Sequence, residues 1–115
     1  MDLLHNTAGV VSSPNFPSNY PNNLEKTEII EVEQGMIIAL HFLSFNIHSS
    51  SDCQDYLAIM DNDGTPLMEK RCGSTLPKNI TSTSNNVTLK FITSRVHTDS
   101  GWSLRWTAVT PGKQK

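Results

Sequence analysis

The chain is expected to fold as an all-β protein, an antiparallel β-sandwich. Three observations predict it. Four short segments alternate apolar and polar residues with a period of two, no window of about eleven residues carries a helical period, and turn-forming residues separate the segments.

The first segment runs through Ile38, Leu40 and Phe42, with Ile37, Ala39 and His41 on the opposite face. Phe45 follows three positions on, a slip of phase that predicts a bulge or a strand end. Tyr56 to Met60 forms the second strand, with Leu57 and Ile59 inward and the turn Asp61-Asn62-Asp63-Gly64 after it. That tetrapeptide echoes the start of an EF-hand loop, yet Thr65-Pro66-Leu67 supplies none of the later ligands, so it predicts a hairpin turn. Val87, Leu89 and Phe91 repeat the alternation with Thr88 and Lys90 toward water. Trp102, Leu104 and Trp106 repeat it again with Ser103, Arg105 and Thr107 opposite. Together these four strands supply two facing layers of core.

Polar connectors span 46–52, 73–78 and 94–101. The segment 13–23 differs in kind, because Pro14, Pro17 and Pro21 stand among turn formers. Proline lacks an amide donor, so this segment is expected to wrap a sheet edge rather than pair within it. One domain over 9–110 is expected, with tails at 1–8 and 111–115.

At 115 residues the chain suffices for one hydrophobic core and not for two, and 37% hydrophobic with 17% charged residues is a globular balance. Nine basic residues stand against eleven acidic ones, in runs of like charge no longer than two. Nucleic acid is thereby excluded as a partner, and heparin-like polymers are disfavoured. No apolar stretch reaches the roughly 18 residues needed to insert in a membrane. Met1-Asp2-Leu3-Leu4 is no signal peptide, so either a precursor's signal has been removed or the domain is cut from a longer chain.

Cys53 and Cys72 could be reduced core residues or a disulfide. Asn79-Ile80-Thr81 and Asn86-Val87-Thr88 both fit the glycosylation acceptor pattern, which favours a secreted, oxidised chain with glycans at Asn79 and Asn86. A bridge closing a loop of about 20 residues adds about 3 kcal/mol in the loop-entropy picture. It is expected to tie the two halves of the sandwich together.

These residues carry a resemblance. Gly9, Ser13-Pro14-Asn15-Phe16-Pro17, Tyr20-Pro21, Leu40-His41-Phe42-Leu43-Ser44-Phe45, Cys53-Gln54-Asp55-Tyr56-Leu57, Cys72-Gly73, Pro77, Phe91 and Gly101-Trp102 occur in the order and spacing of the CUB domain family. That family is found in complement proteases, astacin-type metalloproteases, neuropilins and spermadhesins, and the likeness runs from about Gly9 to Val109. It implies a CUB-like jelly-roll sandwich. Many members have a second, N-terminal disulfide whose second cysteine would fall at Lys26. Here both halves are missing, which leaves the N-terminal strand to packing by Val10, Val11, Ile29 and Ile30. Calcium-binding members place three carboxylates where this chain has His48, Asp55 and Ser94. Calcium takes six to eight oxygen ligands, typically with several carboxylates among them. With one carboxylate of three, the resemblance implies no calcium there and no other cofactor.

For His48 three readings are open: a solvated loop residue, a protonated imidazole replacing the lost cation beside Asp55 and making the loops pH-sensitive, or a zinc site with His97 and Asp55. Intrinsic catalysis is rejected, since the chain has no Gly-x-Ser-x-Gly, no His-Glu-x-x-His, and serines clustered in turns such as Ser49-Ser50-Ser51. The expected function is a non-catalytic extracellular recognition module, part of or derived from a larger secreted protein such as an astacin-type or complement-type protease. Its partner would be another extracellular protein, met through His48, Asp52, Asp55, Tyr56 and Arg95, with Tyr56 equally suited to core or edge. Two alternatives stand beside it. One is a carbohydrate or glycosaminoglycan binder using Lys70, Arg71, Lys78 and Lys90; the other is self-association through an exposed strand edge.

Overall fold

A computed structural model describes residues 7–112. Its strands are β1 (Ala8–Ser12), β2 (Glu25–Glu31), β3 (Ile37–Asn46), β4 (Tyr56–Asp61), β5 (Pro66–Arg71), β6 (Ile80–Thr81), β7 (Asn86–Ile92) and β8 (Gly101–Val109). They form two antiparallel four-stranded sheets, ordered β1-β8-β3-β6 and β2-β7-β4-β5. The four segments with the clearest alternation are the inner strands of the two sheets, β8 and β3 in one and β7 and β4 in the other. An inner strand is paired on both sides and buries one whole face, so its sequence must alternate; an edge strand is under less constraint.

The core lies between the sheets. Leu40, Phe42 and Leu104 face Leu57, Ile59 and Leu89, all at most 1% exposed. At one end, edge-to-face contacts join Tyr20 to Phe91 (5.1 Å) and Phe91 to Trp102 (5.8 Å), a favourable arrangement of ring quadrupoles.

Several details refine the sequence expectation or depart from it. The phase slip before Phe45 is a bulge between Phe42 and Ser44, and β3 continues past it to Asn46. Ser103 faces away from the core yet is buried, because Ser12 of the neighbouring strand covers it and its hydroxyl donates to Ser103 Oγ at 3.0 Å. Val10 and Ile29 do not help to hold the N-terminal strands: they are 60% and 63% exposed, while their neighbours Val11 and Ile30 turn inward. Strand alternation allows only one of each adjacent pair to face the core. β1 begins at Ala8, and residues 1–6 and 113–115 of the expected tails lie outside the described residues. The proline-rich segment crosses from one sheet to the other at the end of the sandwich, bonded to the β7–β8 loop through Tyr20 N to Asp99 O (3.0 Å) and Asn23 N to Ser94 O (2.9 Å).

Cys53 and Cys72 are joined, with Cα atoms 5.5 Å apart. The bridge closes the β4–β5 hairpin within one sheet, so it does not tie the two halves together as expected. That link is made by backbone: Ile47, just past β3, exchanges hydrogen bonds of 3.0 and 2.8 Å with Gly73, just past β5.

The turn after β4 is held by Asp61, which is buried. Its carboxylate accepts from the Thr83 amide (2.9 Å), the Thr83 hydroxyl (2.7 Å), the Asn62 amide (2.9 Å) and the Ser84 hydroxyl. Burial alone would raise its pKa, but these donors outweigh it and hold the group down at about 2. A carboxyl depressed on folding stabilises the fold above its unfolded pKa, and that contribution is lost as pH falls through the folded value. Asp61→Asn is therefore expected to lower stability at neutral pH by about 2 kcal/mol and to flatten the acid limb between about pH 5 and 1. Urea titrations across that range check it; a variant with the wild-type acid limb would show that Asp61 is not the group responsible.

Candidate functional site

Three connections meet at one end of the sandwich: the segment between β1 and β2, the β3–β4 loop and the β7–β8 loop. Tyr20 joins them. Its hydroxyl donates to Asp55 Oδ2 at 2.7 Å and accepts from the His48 amide at 3.0 Å. The Ser94 amide donates to the other Asp55 oxygen at 2.6 Å. Burial, the larger effect, and the neighbouring Asp55 both push the Tyr20 hydroxyl's pKa well up, while the His48 amide opposes them, so tyrosine stays a neutral donor.

The three positions where the resemblance places calcium carboxylates, His48, Asp55 and Ser94, do come together. Asp55 holds the Ser94 amide directly, and the Tyr20 hydroxyl links Asp55 to the His48 amide. Asp55 is 0% exposed and each oxygen is taken by a donor. Among the described residues no three His, Cys, Asp or Glu side chains are grouped to hold a metal ion. These donors do not fit calcium. Asp55 also leaves the expected partner surface, because nothing outside the protein can reach it.

The His48 ring does not face Asp55 either. It stacks on His97, centroids 3.9 Å apart and planes 12° from parallel. Zinc binds about 2.0–2.1 Å from imidazole nitrogen along the lone pair, which lies in the ring plane. In two stacked, nearly parallel rings those directions cannot converge on one ion, and the third proposed ligand is buried elsewhere.

What the site does well is hold a loop. The β7–β8 loop is tied by Ser94 to Asp55, by Asn22 Nδ2 to His97 O (2.7 Å) and by Thr98 Oγ1 to Tyr20 O (2.6 Å). Arg95, Val96 and His97 stand exposed between these ties, Val96 at 66%. Beside them a polar groove of about 440 Å³ is lined by His48, Ser49, Ser74, Thr75 and Asp99.

Asp52 is exposed in the β3–β4 loop, where its carboxylate accepts from the Ser50 hydroxyl at 3.3 Å. Tyr56 opens β4, half-buried on the outer face of its sheet, with Lys70 Nζ 4.9 Å from its ring centre. Of the four candidate glycan-binding cations, Arg71 and Lys78 line one groove and Lys70 and Arg71 another, while Lys90 lies mid-sheet opposite Ala58 and Thr27. Asn79 is exposed before β6, its Oδ1 2.8 Å from His41 Nδ1; Asn86 is half-buried at the start of β7.

Tyr20, Asn22, Val96 and Asp99 were not singled out as site residues from sequence. Their signal is weak: a tyrosine among prolines and an isolated valine in a polar loop have no spacing that marks them.

A model of the CUB domain matches residues 2–106. Pig (Sus scrofa) cubilin is 42% identical over 100 residues, covering 84% of this chain and 3% of cubilin. Blastula protease 10 of Paracentrotus lividus is 37% identical over 105 residues, covering 90% of the chain and 18% of the protease. Among solved structures, the CUB1-EGF-CUB2 region of human MASP-1/3 superposes with a TM-score of 0.81 at 27% identity, covering 91% of this chain and 42% of that one. The chain spans only a small part of the curated relatives it matches. Sheet order, the retained Cys53–Cys72 bridge and the matched family model lead to one conclusion: this chain belongs to the CUB domain family.

Proposed function

We propose that this domain is a non-catalytic extracellular module that binds another protein through the Arg95-Val96-His97 tip, with His48 and Asp52 beside it. One observation carries the reading: the tip is exposed while the backbone around it is bonded into the fold by Tyr20, Asn22 and Asp55. Ordering a contact loop in advance removes an entropic cost of binding. Asp55 serves as a support behind the surface. Tyr56, on the outer sheet face below Lys70, extends the surface along β4.

The domain works as part of a larger secreted protein, in the manner of cubilin or an astacin-type protease, and any catalytic activity belongs to neighbouring domains. Glycans at Asn79 and Asn86 accord with that setting, with Asn79 the more accessible acceptor because it is exposed and lies outside the strands.

The test is a photo-reactive residue at position 96, with position 107 on the outer face of β8 as control, exposed to extracellular fluid. Protein adducts are expected at 96, reduced by Arg95→Glu, and absent at 107. Equal yields at both positions would refute the loop tip as the contact surface.

A further inference from the structure

The two free edges of the β2-β7-β4-β5 sheet carry opposite charge. Along β2 and into the following turn stand Glu25, Glu28, Glu31 and Glu33, with Lys26 the one cation among them. Along β5 and the connector to β6 stand Lys70, Arg71 and Lys78, with Glu69 the one acid. Shape accompanies charge. Ile29 projects from β2, 63% exposed, on the same face as Glu25 and Glu31. Against β5 lie adjoining grooves of about 550 and 270 Å³ that share Leu67, Met68 and Arg71, and the smaller adds Pro77 and Ile80 with Lys78 beside them.

We propose that the β2 edge of one molecule docks on the β5 edge of a second copy of this chain. Ile29 enters the Leu67–Met68–Pro77 groove, and Glu25 and Glu31 face Lys70, Arg71 and Lys78. This inference is independent of the loop-tip reading. β5 pairs with β4 through two register shifts and carries lysine, features that oppose a continuous sheet, so the contact runs through side chains. The two surfaces lie on opposite edges of one sheet. The association is therefore head-to-tail and does not close at a dimer. A six-residue strand is about 20 Å long, too short to bury the roughly 800 Å² per partner of a standard interface. Association is consequently weak and, being led by exposed charges, is screened by salt. A sulfated glycan could use the same cations, but Glu69 beside Lys70 would repel it.

Asn79 lines the smaller groove, so a glycan there would cover it; the docking applies to chain that carries none at Asn79, and sedimentation velocity on that form tests it. At about 20 mM salt the average mass is expected to rise with concentration past that of a dimer, and at about 0.5 M salt to return to monomer. Glu25→Lys with Glu31→Lys, and separately Lys70→Glu with Lys78→Glu, should each stay monomeric at low salt; an equal mixture of the two variants should associate again. Ile29→Ser should weaken association without removing its salt dependence. Wild-type protein that stays monomeric at low salt, a plateau at dimer, or association that survives both charge reversals would overturn the proposal. Monomeric wild-type protein retained on heparin, with retention lost on Lys70→Glu and Lys78→Glu, would assign the groove to a sulfated glycan instead.

Discussion

Asp55→Ala is expected to lower unfolding free energy by about 4 kcal/mol, because it leaves the Tyr20 hydroxyl and the Ser94 amide without acceptors in a buried site and opens a cavity. Each abandoned donor costs about 1–3 kcal/mol, and a single domain holds only about 5–15 kcal/mol in total. Tyr20→Phe keeps the ring against Phe91 but strips Asp55 Oδ2 and the His48 amide of a partner, for a loss of about 2 kcal/mol. The two effects should not add, since both variants break the same bond; a double-mutant cycle by urea unfolding measures the coupling. An Asp55→Ala midpoint close to wild type would mean that the three loops are held by something else. Millimolar calcium is expected to leave the wild-type midpoint unchanged, since a ligand stabilises only by binding the native state and the donors here are already taken. If Asp55 supports the recognition tip, its replacement should also reduce cross-linking at position 96 under conditions where the sheets remain folded.

Gly101→Ala is expected to cost a similar amount, about 4 kcal/mol, for two separable reasons. Gly101 has φ +94°, where an L side chain is strained by about 1–3 kcal/mol. A Cβ there would also fall on Ser13 Oγ and lie 3.0 Å from Ser13 Cβ. Ser13 cannot simply move away. Its hydroxyl accepts from the Trp102 amide at 3.0 Å, and its own amide donates to Trp102 O at 2.9 Å, which fixes the start of β8 against the proline-rich segment. Gly73 supplies the control: its φ is +100°, but a Cβ there would meet nothing within 4 Å. Gly73→Ala should therefore lose only the backbone share, about 1–2 kcal/mol. Thermal or urea unfolding of both variants separates strain from collision. Equal losses would show that Ser13 yields without consequence.

The inner strands were legible because burial of one face imposes its period on the sequence, as in Ile38, Leu40 and Phe42 or Val87, Leu89 and Phe91. β5 was not, because Pro-Leu-Met-Glu-Lys-Arg pairs on one side only, with two register shifts, and so carries no alternation. The same reasoning explains Val10 and Ile29. Apolar identity marked them as core, while their position in the pleat of edge strands turned them outward. At the loop end, sequence mapping grouped His48, Asp55 and Ser94. It supplied a cation or an ion pair as their connection, where the fold supplies a tyrosine from a segment 28 residues before His48.

From sequence alone followed the sandwich, its four inner strands, the turn at Asp61 to Gly64, the Cys53–Cys72 pair and the CUB resemblance, because periodicity, turn chemistry and spacing are local properties. Only the tertiary structure decided which sheet the disulfide closes, that Asp55 faces Tyr20 rather than solvent, and that acidic and basic strands occupy opposite edges of one sheet. Those facts depend on which distant segments become neighbours, and the burial and hydrogen bonding of a side chain are set by its neighbours in space.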